Sequence, residues 1–162
     1  MTYKEKLEEL KLKQKELSEL NQKIIDQSSD IFDIFISEIF KKYPIESFGW
    51  SQYTPYFNDG DTCIFSANTD YLKINDEYVE ESEWISEKNT TNWGTWNAQT
   101  RQYDNRVEVD NEKYDPILAK CSDEIVDFLS NFDDNFYLKK FGDHAEITVT
   151  KDGFTIEDCE HD

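Results

Sequence analysis

The sequence predicts an α+β fold with two N-terminal helices, an antiparallel sheet, one further helix and a C-terminal β-hairpin. Residues 3–26 lack Gly and Pro and are rich in strong helix formers, which predicts the first helix. Residues 46–57 and 62–67 are rich in aromatic and β-branched side chains, which favour strands. Residues 145–149 alternate apolar and polar side chains, as a strand with one buried face does.

We expect the chain to divide into two parts. Residues 1–28 form a coiled-coil-like helix, and residues 29–162 form a single acidic α+β domain. A length of 162 residues suits one domain with its own core. The 11 Phe, nine Tyr and four Trp provide large side chains for that core, so most of the chain is expected to fold despite its charge.

The first helix carries a narrow apolar stripe. Its members follow the alternating three- and four-residue steps of coiled-coil a and d positions, and they are Tyr3, Leu7, Leu10, Leu17 and Ile24. Gln14 and Asn21 complete the stripe at a positions. Because a polar Asn at an a position selects two strands in one register, we expect self-association through Leu7, Leu10, Leu17, Asn21 and Ile24 as a parallel homodimer. The alternative is a helix packed on its own domain, which Leu12 and Leu20 off the stripe would favour.

The second helix and the first hairpin follow. Residues 28–30 (Ser-Ser-Asp) provide N-cap chemistry for a helix that ends before Pro44 and is apolar around most of its circumference. Asp59-Gly60, between two strand-like segments, predicts a tight hairpin because a type I′ turn needs positive φ. Residues 70–79 are expected to add a third strand.

The second half of the domain begins with a short strand at residues 106–109. Residues 115–132 are expected to form the further helix, opened by Asp115-Pro116. Lys151-Asp152-Gly153 predicts the turn of the closing hairpin.

Residues 80–106 are polar, show no sustained period, and yet contain three of the four tryptophans. Flat rings on a polar segment suit stacking on a ring ligand or contact with a protein partner. We therefore take as candidate binding residues Trp84, Trp93, Trp96 and Tyr103. The alternative is that the rings fold onto the domain and anchor a long loop.

The negative charge is unevenly distributed. The net charge is −19, but residues 1–23 contain six Lys and five Glu, which leaves 11 basic and 31 acidic residues for the remainder. A body this acidic repels nucleic acid and anionic membranes, so we expect neither as a direct partner. It attracts basic protein surfaces, although the charge can also serve solubility alone.

The cysteines and the N-terminus predict a cytoplasmic protein. Cys63, Cys121 and Cys159 are odd in number and have no paired spacing, which favours free thiols in a reducing compartment. Residues 1–6 are not followed by the apolar run of a secretory signal.

Recognised catalytic and metal-binding motifs do not occur in the sequence. Asp59 and Asp61 flank a glycine, but Cys63 and Phe65 occupy positions where a calcium loop requires oxygen ligands. There is no phosphate-binding glycine loop, nucleophile elbow or zinc-protease motif. We expect no enzyme activity, no metal and no cofactor.

Two segments carry a resemblance: residues 48–63 (FGWSQYTPYFNDGDTC) and residues 141–154 (FGDHAEITVTKDGF). They resemble short, uncharacterised acidic proteins of large tailed phages and prophages. The resemblance implies a phage or prophage setting, hence the cytoplasm of a host cell, and brings no activity with it.

The sequence thus supports two classes of function. The first is a non-catalytic interaction protein that binds a host or phage protein through its acidic surface, in one version by mimicking the phosphates of a nucleic acid. The second is a ligand-binding module in which the loop with Trp93 and Trp96 closes over a nucleotide-like or other ring ligand.

Overall fold

A computed structural model describes residues 2–79 and 87–160 and has an α+β fold with antiparallel sheets. The elements in the described residues, in chain order, are α1 (Tyr3–Lys42), β1 (Ser47–Tyr53), β2 (Ser66–Ala67), β3 (Lys73–Ile74), β4 (Glu77–Tyr78), β5 (Asn89–Asn92), β6 (Thr95–Asn97), β7 (Gln102–Asp104), β8 (Val107–Asp110), α2 (Pro116–Leu129), α3 (Asp134–Phe141), β9 (Ala145–Thr150) and β10 (Gly153–Asp158).

The N-terminal region is one helix and not two. α1 begins at a capping box, in which Thr2 Oγ1 accepts from Glu5 N and the Glu5 carboxylate accepts from Thr2 N, and it ends before Pro44. It runs without a break through residues 28–30, where the sequence predicts a new N-cap. Ser and Asp cost little inside a long helix when no Gly or Pro stops it, so the growing helix continues. The expected domain boundary at residue 28 therefore lies inside α1.

The main sheet has the order β10-β9-β1-β3-β4, and β2 also pairs with β1. β1 lies at its centre, antiparallel to β9 over Ser47↔Thr150 to Gln52↔Ala145. Strand alternation turns one face of this pair into the core, where the buried side chains are Phe48, Trp50, Gln52, Ala145, Ile147 and Val149.

The helices cover that face of the sheet with aromatic and aliphatic side chains. Their buried members are Phe32, Ile36 and Ile39 of α1, Cys121, Ile125 and Leu129 of α2, and Phe136, Tyr137 and Phe141 of α3. Phe32 is fully buried, and its ring centroid lies 6.2 Å from Trp50 and 5.8 Å from Phe141. The C-terminal part of α1 therefore belongs to the core.

α3 is an element that the sequence analysis missed. Asp133 caps it, with its carboxylate accepting from Phe136 N. Its eight residues are too few to show a clear helical period. It ends at Gly142, whose φ of 87° favours glycine.

The turn at residues 58–61 forms, but it does not join a tight hairpin. Asp59 and Gly60 have φ of 43° and 91°, and Asp61 N donates to Asn58 O at 2.7 Å. The paired strands meet at Tyr53↔Ser66, so the turn lies in the middle of a long connection.

The segment at residues 70–79 differs from the prediction of a single strand, whereas the C-terminal hairpin forms with its turn at the predicted place. Residues 70–79 fold as two short strands, β3 and β4, around Asn75 and Asp76, which both have positive φ. β9 and β10 pair antiparallel from Gly153↔Thr150 to Asp158↔Ala145.

Candidate functional site

Two parts of the chain extend outside the core and carry the predicted site residues. The first is the N-terminal arm, defined as residues 2–20 of the chain, all of which are exposed. The arm is the first half of a 40-residue helix, which is about 60 Å long at 1.5 Å per residue.

The apolar stripe of this helix is uncovered. Its members are 45–76% exposed, and they are Tyr3, Leu7, Leu10, Leu17 and Ile24. Because α1 continues through residue 28, the d series extends by one further heptad to Ile31, which is 53% exposed. The apolar stripe, its extension at Ile31 and the two polar a positions together form what we call the seam: Tyr3, Leu7, Leu10, Gln14, Leu17, Asn21, Ile24 and Ile31.

The C-terminal end of the seam contacts the body, by which we mean the main sheet and the helices that pack on it. Asn21 is half-buried, and together with Ile24 it lines a cleft of about 210 Å³ against Phe132 and Phe136. The predicted self-association residues therefore differ in their surroundings. Leu7, Leu10 and Leu17 lie clear of the body, whereas Asn21 and Ile24 lie at the junction.

The second part is a two-stranded ribbon over residues 89–110, where the sequence shows no period. β5 pairs with β8 from Asn89↔Asp110 to Asn92↔Val107, and β6 pairs with β7 from Thr95↔Asp104 to Asn97↔Gln102. Both ladders follow the same register. None of residues 87–110 is buried, so the ribbon contributes nothing to the core.

A break in the ribbon brings its aromatic side chains together. Trp93 and Trp96 are three residues apart, so a regular strand would turn them to opposite faces. Between the two ladders Gly94 and Asn105 face each other with φ of 68° and 64°, and both strands leave the extended conformation. A Cβ at Gly94 would lie 2.0 Å from the carbonyl oxygen of Asp104, so this close approach requires glycine.

The result is the aromatic face, which we define as Trp93, Trp96, Tyr103 and Arg106. Trp96 and Tyr103 are cross-strand partners with ring centroids 5.0 Å apart at 62°, and Trp93 lies 5.4 Å from Tyr103 at 53°. The Arg106 guanidinium lies over the Trp93 ring, 4.3 Å from its centroid. The three rings remain 46–52% exposed.

Three of the four predicted binding residues thus come together on one surface. The fourth, Trp84, lies outside the described residues. Sequence reasoning missed Arg106. The signal that would have found it is the ribbon register, which sets residue 106 opposite residue 93.

The two segments that carry the resemblance meet in space, through the β1–β9 pair and beyond its end. The Asp143 carboxylate accepts from Thr54 N and Thr54 Oγ1, both at 2.7 Å, and from His144 N at 2.8 Å. His144 in turn stacks on Tyr56, with ring centroids 5.0 Å apart. Burial raises the pKa of Asp143, but the hydrogen bonds from Thr54 and His144 outweigh it, and the net pKa lies below its usual value. This cluster fastens the loop after β1 to the start of β9.

The part of the first segment that lies in β1 has a structural role in the core. Gln52 is fully buried and donates from Nε2 to the carbonyls of Tyr137 and Gly142, while Trp50 Nε1 donates to its Oε1 at 3.2 Å. Tyr137 donates from its hydroxyl to Leu129 O at 2.5 Å, and burial raises its pKa.

Cys63, Cys121 and Cys159 are free. Burial raises the pKa of Cys121 to about 12, so its thiol is protonated and inert at neutral pH. In residues 2–79 and 87–160, no three His, Cys, Asp or Glu side chains come together as a metal ion requires.

Among the described helices, none has the length and apolar character needed to cross a membrane. Comparison with known proteins adds no relative: no family model matches the chain, and no match was found among curated proteins or solved structures.

Proposed function

We propose that the chain is a non-catalytic interaction protein that self-associates through its N-terminal arm and binds a basic surface of another protein through its acidic body. The observation that carries the proposal is the uncovered seam. Exposed leucines at coiled-coil spacing over several turns are costly in water unless a second helix covers them.

The occupant that we propose for the seam is a second copy of the chain in parallel. Parallel register places Gln14 against Gln14 and Asn21 against Asn21, so polar residues meet polar residues and each leucine layer meets its own copy. In an antiparallel pair, heptad position a faces position d, so these amides would instead face leucine or tyrosine. Leu20 is exposed at the neighbouring g position, which widens the apolar contact.

The charge distribution fits this arrangement. The first 23 residues carry six Lys and five Glu, whereas the remainder carries 11 basic and 31 acidic residues. Two bodies of this charge repel each other, whereas the nearly neutral arm adds little repulsion where the two helices pair.

The test of self-association is light scattering at tens of micromolar protein. We expect the full chain to be a dimer and the double variant Leu10→Ala/Leu17→Ala to be a monomer. Leu12→Ala is the matched control, because Leu12 is 57% exposed on the same helix but lies off the seam. A monomeric full chain, or a double variant that stays dimeric, would contradict the proposal.

The acidic body supplies the second half of the proposal. We propose as partner a host or phage protein with a basic surface, in the phage setting that the resemblance implies. Nucleic-acid mimicry is the version in which carboxylates occupy a phosphate-binding groove of that partner. Capture of the partner should weaken as salt rises, because exposed charges are screened.

A second function is favoured by the ribbon. Half-exposed rings at Trp93 and Trp96 suit a ligand-binding module that stacks on a nucleotide-like or other ring ligand. Titration of the ribbon with an arginine peptide and, separately, with adenosine separates this function from binding of a basic partner.

A further inference from the structure

We propose that the aromatic face of the ribbon is the point at which an arginine or lysine side chain of a basic protein docks. This deepens the proposed function, and rests on it for the charge of the partner. The proposal assigns the contact to Trp96 and Tyr103, with Trp93 and Arg106 as their support.

The rings of the aromatic face are open to solvent. Trp93, Trp96 and Tyr103 lie on a ribbon in which none of residues 87–110 is buried, and each ring is about half exposed. Tyr103 meets both indoles at steep angles, 53° and 62°, and not in parallel stacks. Such angles leave ring surface open, and exposed aromatic side chains of this kind are the usual anchors of protein interfaces.

The aromatic face already binds a cation of its own. Arg106 places its guanidinium 4.3 Å from the Trp93 centroid, within the range of a cation–π contact. The electron-rich indole face attracts the guanidinium at this site even though the ribbon is open to water. A second guanidinium or ammonium finds the same chemistry at Trp96.

The charge around the ribbon complements a basic partner. Counted from Arg106, strand alternation places Glu108 and Asp110 on the same side of β8, and both are exposed. The chain as a whole has a net charge of −19, so the field around the ribbon attracts cations. A basic side chain gains both the ring contact and the neighbouring carboxylates.

The same charges disfavour a phosphorylated ring ligand. A nucleotide that stacks on Trp96 brings its phosphates toward Glu108, Asp110 and a strongly acidic body. Arg106 is committed to Trp93, at 4.3 Å, and so is poorly placed to offset that repulsion. An uncharged ring ligand has no phosphates and is not repelled in this way, so the experiment also tests adenosine.

The experiment follows the four Trp indole N–H signals by NMR during titration with a hexa-arginine peptide and, separately, with adenosine. Trp93 and Trp96 are assigned with Trp→Phe variants. We expect the peptide to shift the Trp96 signal, and Trp96→Phe to weaken peptide binding by about fivefold, because Trp is the best cation–π partner among the aromatic residues and Phe keeps the ring and the ribbon. Glu108→Gln/Asp110→Asn should also weaken binding.

The matched control is Phe57→Ala, an exposed aromatic residue (74%) on the loop after β1, which should leave peptide binding unchanged. Peptide binding that falls with salt but is the same in Trp96→Phe overturns the ribbon contact and leaves the acidic-body proposal standing. Absence of peptide binding at low salt overturns both. If adenosine shifts the Trp96 signal and the peptide does not, the ligand of the aromatic face is an uncharged ring and not a basic side chain.

Discussion

Removal of the Gln52 side chain should be among the most damaging single changes to the body. Among the described residues Gln52 carries the only fully buried side-chain amide; it lies near the C-terminal end of β1, with hydrogen bonds to Trp50, Tyr137 and Gly142. Gln52→Ala leaves the indole N–H and two carbonyls without this partner. At about 1 kcal/mol for each lost bond, the hydrogen bonds alone account for about 3 kcal/mol.

The cavity adds to this loss. A closed aromatic core relaxes little when atoms are removed, so the deleted side chain contributes about 1–2 kcal/mol more. The expected decrease in the free energy of unfolding is therefore about 4–5 kcal/mol, which is a large part of the stability of an ordinary domain. For a chain of this size, that corresponds to a decrease in melting temperature of roughly 8–20 °C.

Two further variants separate the contributions. Gln52→Leu keeps the volume and removes the hydrogen bonds, so it should lose about 3 kcal/mol. Gln99→Ala, at the exposed tip of the ribbon, should change stability by less than about 0.5 kcal/mol. The assay is urea unfolding followed by far-UV circular dichroism. If Gln52→Leu unfolds at the same urea concentration as the natural chain, the hydrogen-bond argument is refuted.

Two other predictions concern the loops around the site. Burial raises the pKa of Asp143, but the hydrogen bonds from Thr54 outweigh this effect, and the net pKa lies below its usual value. The contribution of the Asp143 carboxylate to stability is therefore present above the ordinary Asp pKa and is lost as pH falls through the lowered value. Melting temperatures measured from pH 6 to pH 2 should show this acid-dependent loss, and Asp143→Asn should remove that part of the pH dependence. Gly94→Ala should disrupt the break in the ribbon, since its Cβ would meet Asp104 O at 2.0 Å, and so shift the indole signals of the ribbon while the melting of the body is unchanged. Gly60→Ala, at a positive φ with open space around it, separates backbone strain from this clash, and should leave the indole signals as they are.

The fold class and α2 are predictable because they depend on strong local signals. Asp115 caps α2 through Ile117 N and Leu118 N, as Asp-Pro at a helix start predicts. The break expected at residues 28–30 does not form because cap residues are also tolerated inside a helix. α3 was not predicted because its eight residues show too little periodicity to indicate a helix.

The candidate surfaces are predictable only in part. The seam follows from spacing alone, but its exposure depends on how far α1 extends beyond the body, which no local pattern encodes. The aromatic face depends on a break at Gly94 and Asn105 that reverses the alternation of both strands. A sequence pattern assigns Trp93 and Trp96 to opposite faces, so their meeting, and the place of Arg106, needs the register of the ribbon.

The seam and the aromatic face are stabilised by different contacts, and this difference affects how each surface binds a partner. The arm is continuous with a helix whose C-terminal part is fixed by Phe32 and by the Lys42–Glu124 contact, so it presents the seam as an extension of the core. An isolated two-stranded ribbon is only marginally stable in water, and the ribbon depends on its own cross-strand pairs. The Trp96–Tyr103 contact and the Arg106 cation therefore hold the ribbon together and form the binding surface at the same time. A partner that inserts a basic side chain at this surface adds to the contacts that order the ribbon, so binding and ordering of the ribbon are expected to reinforce each other.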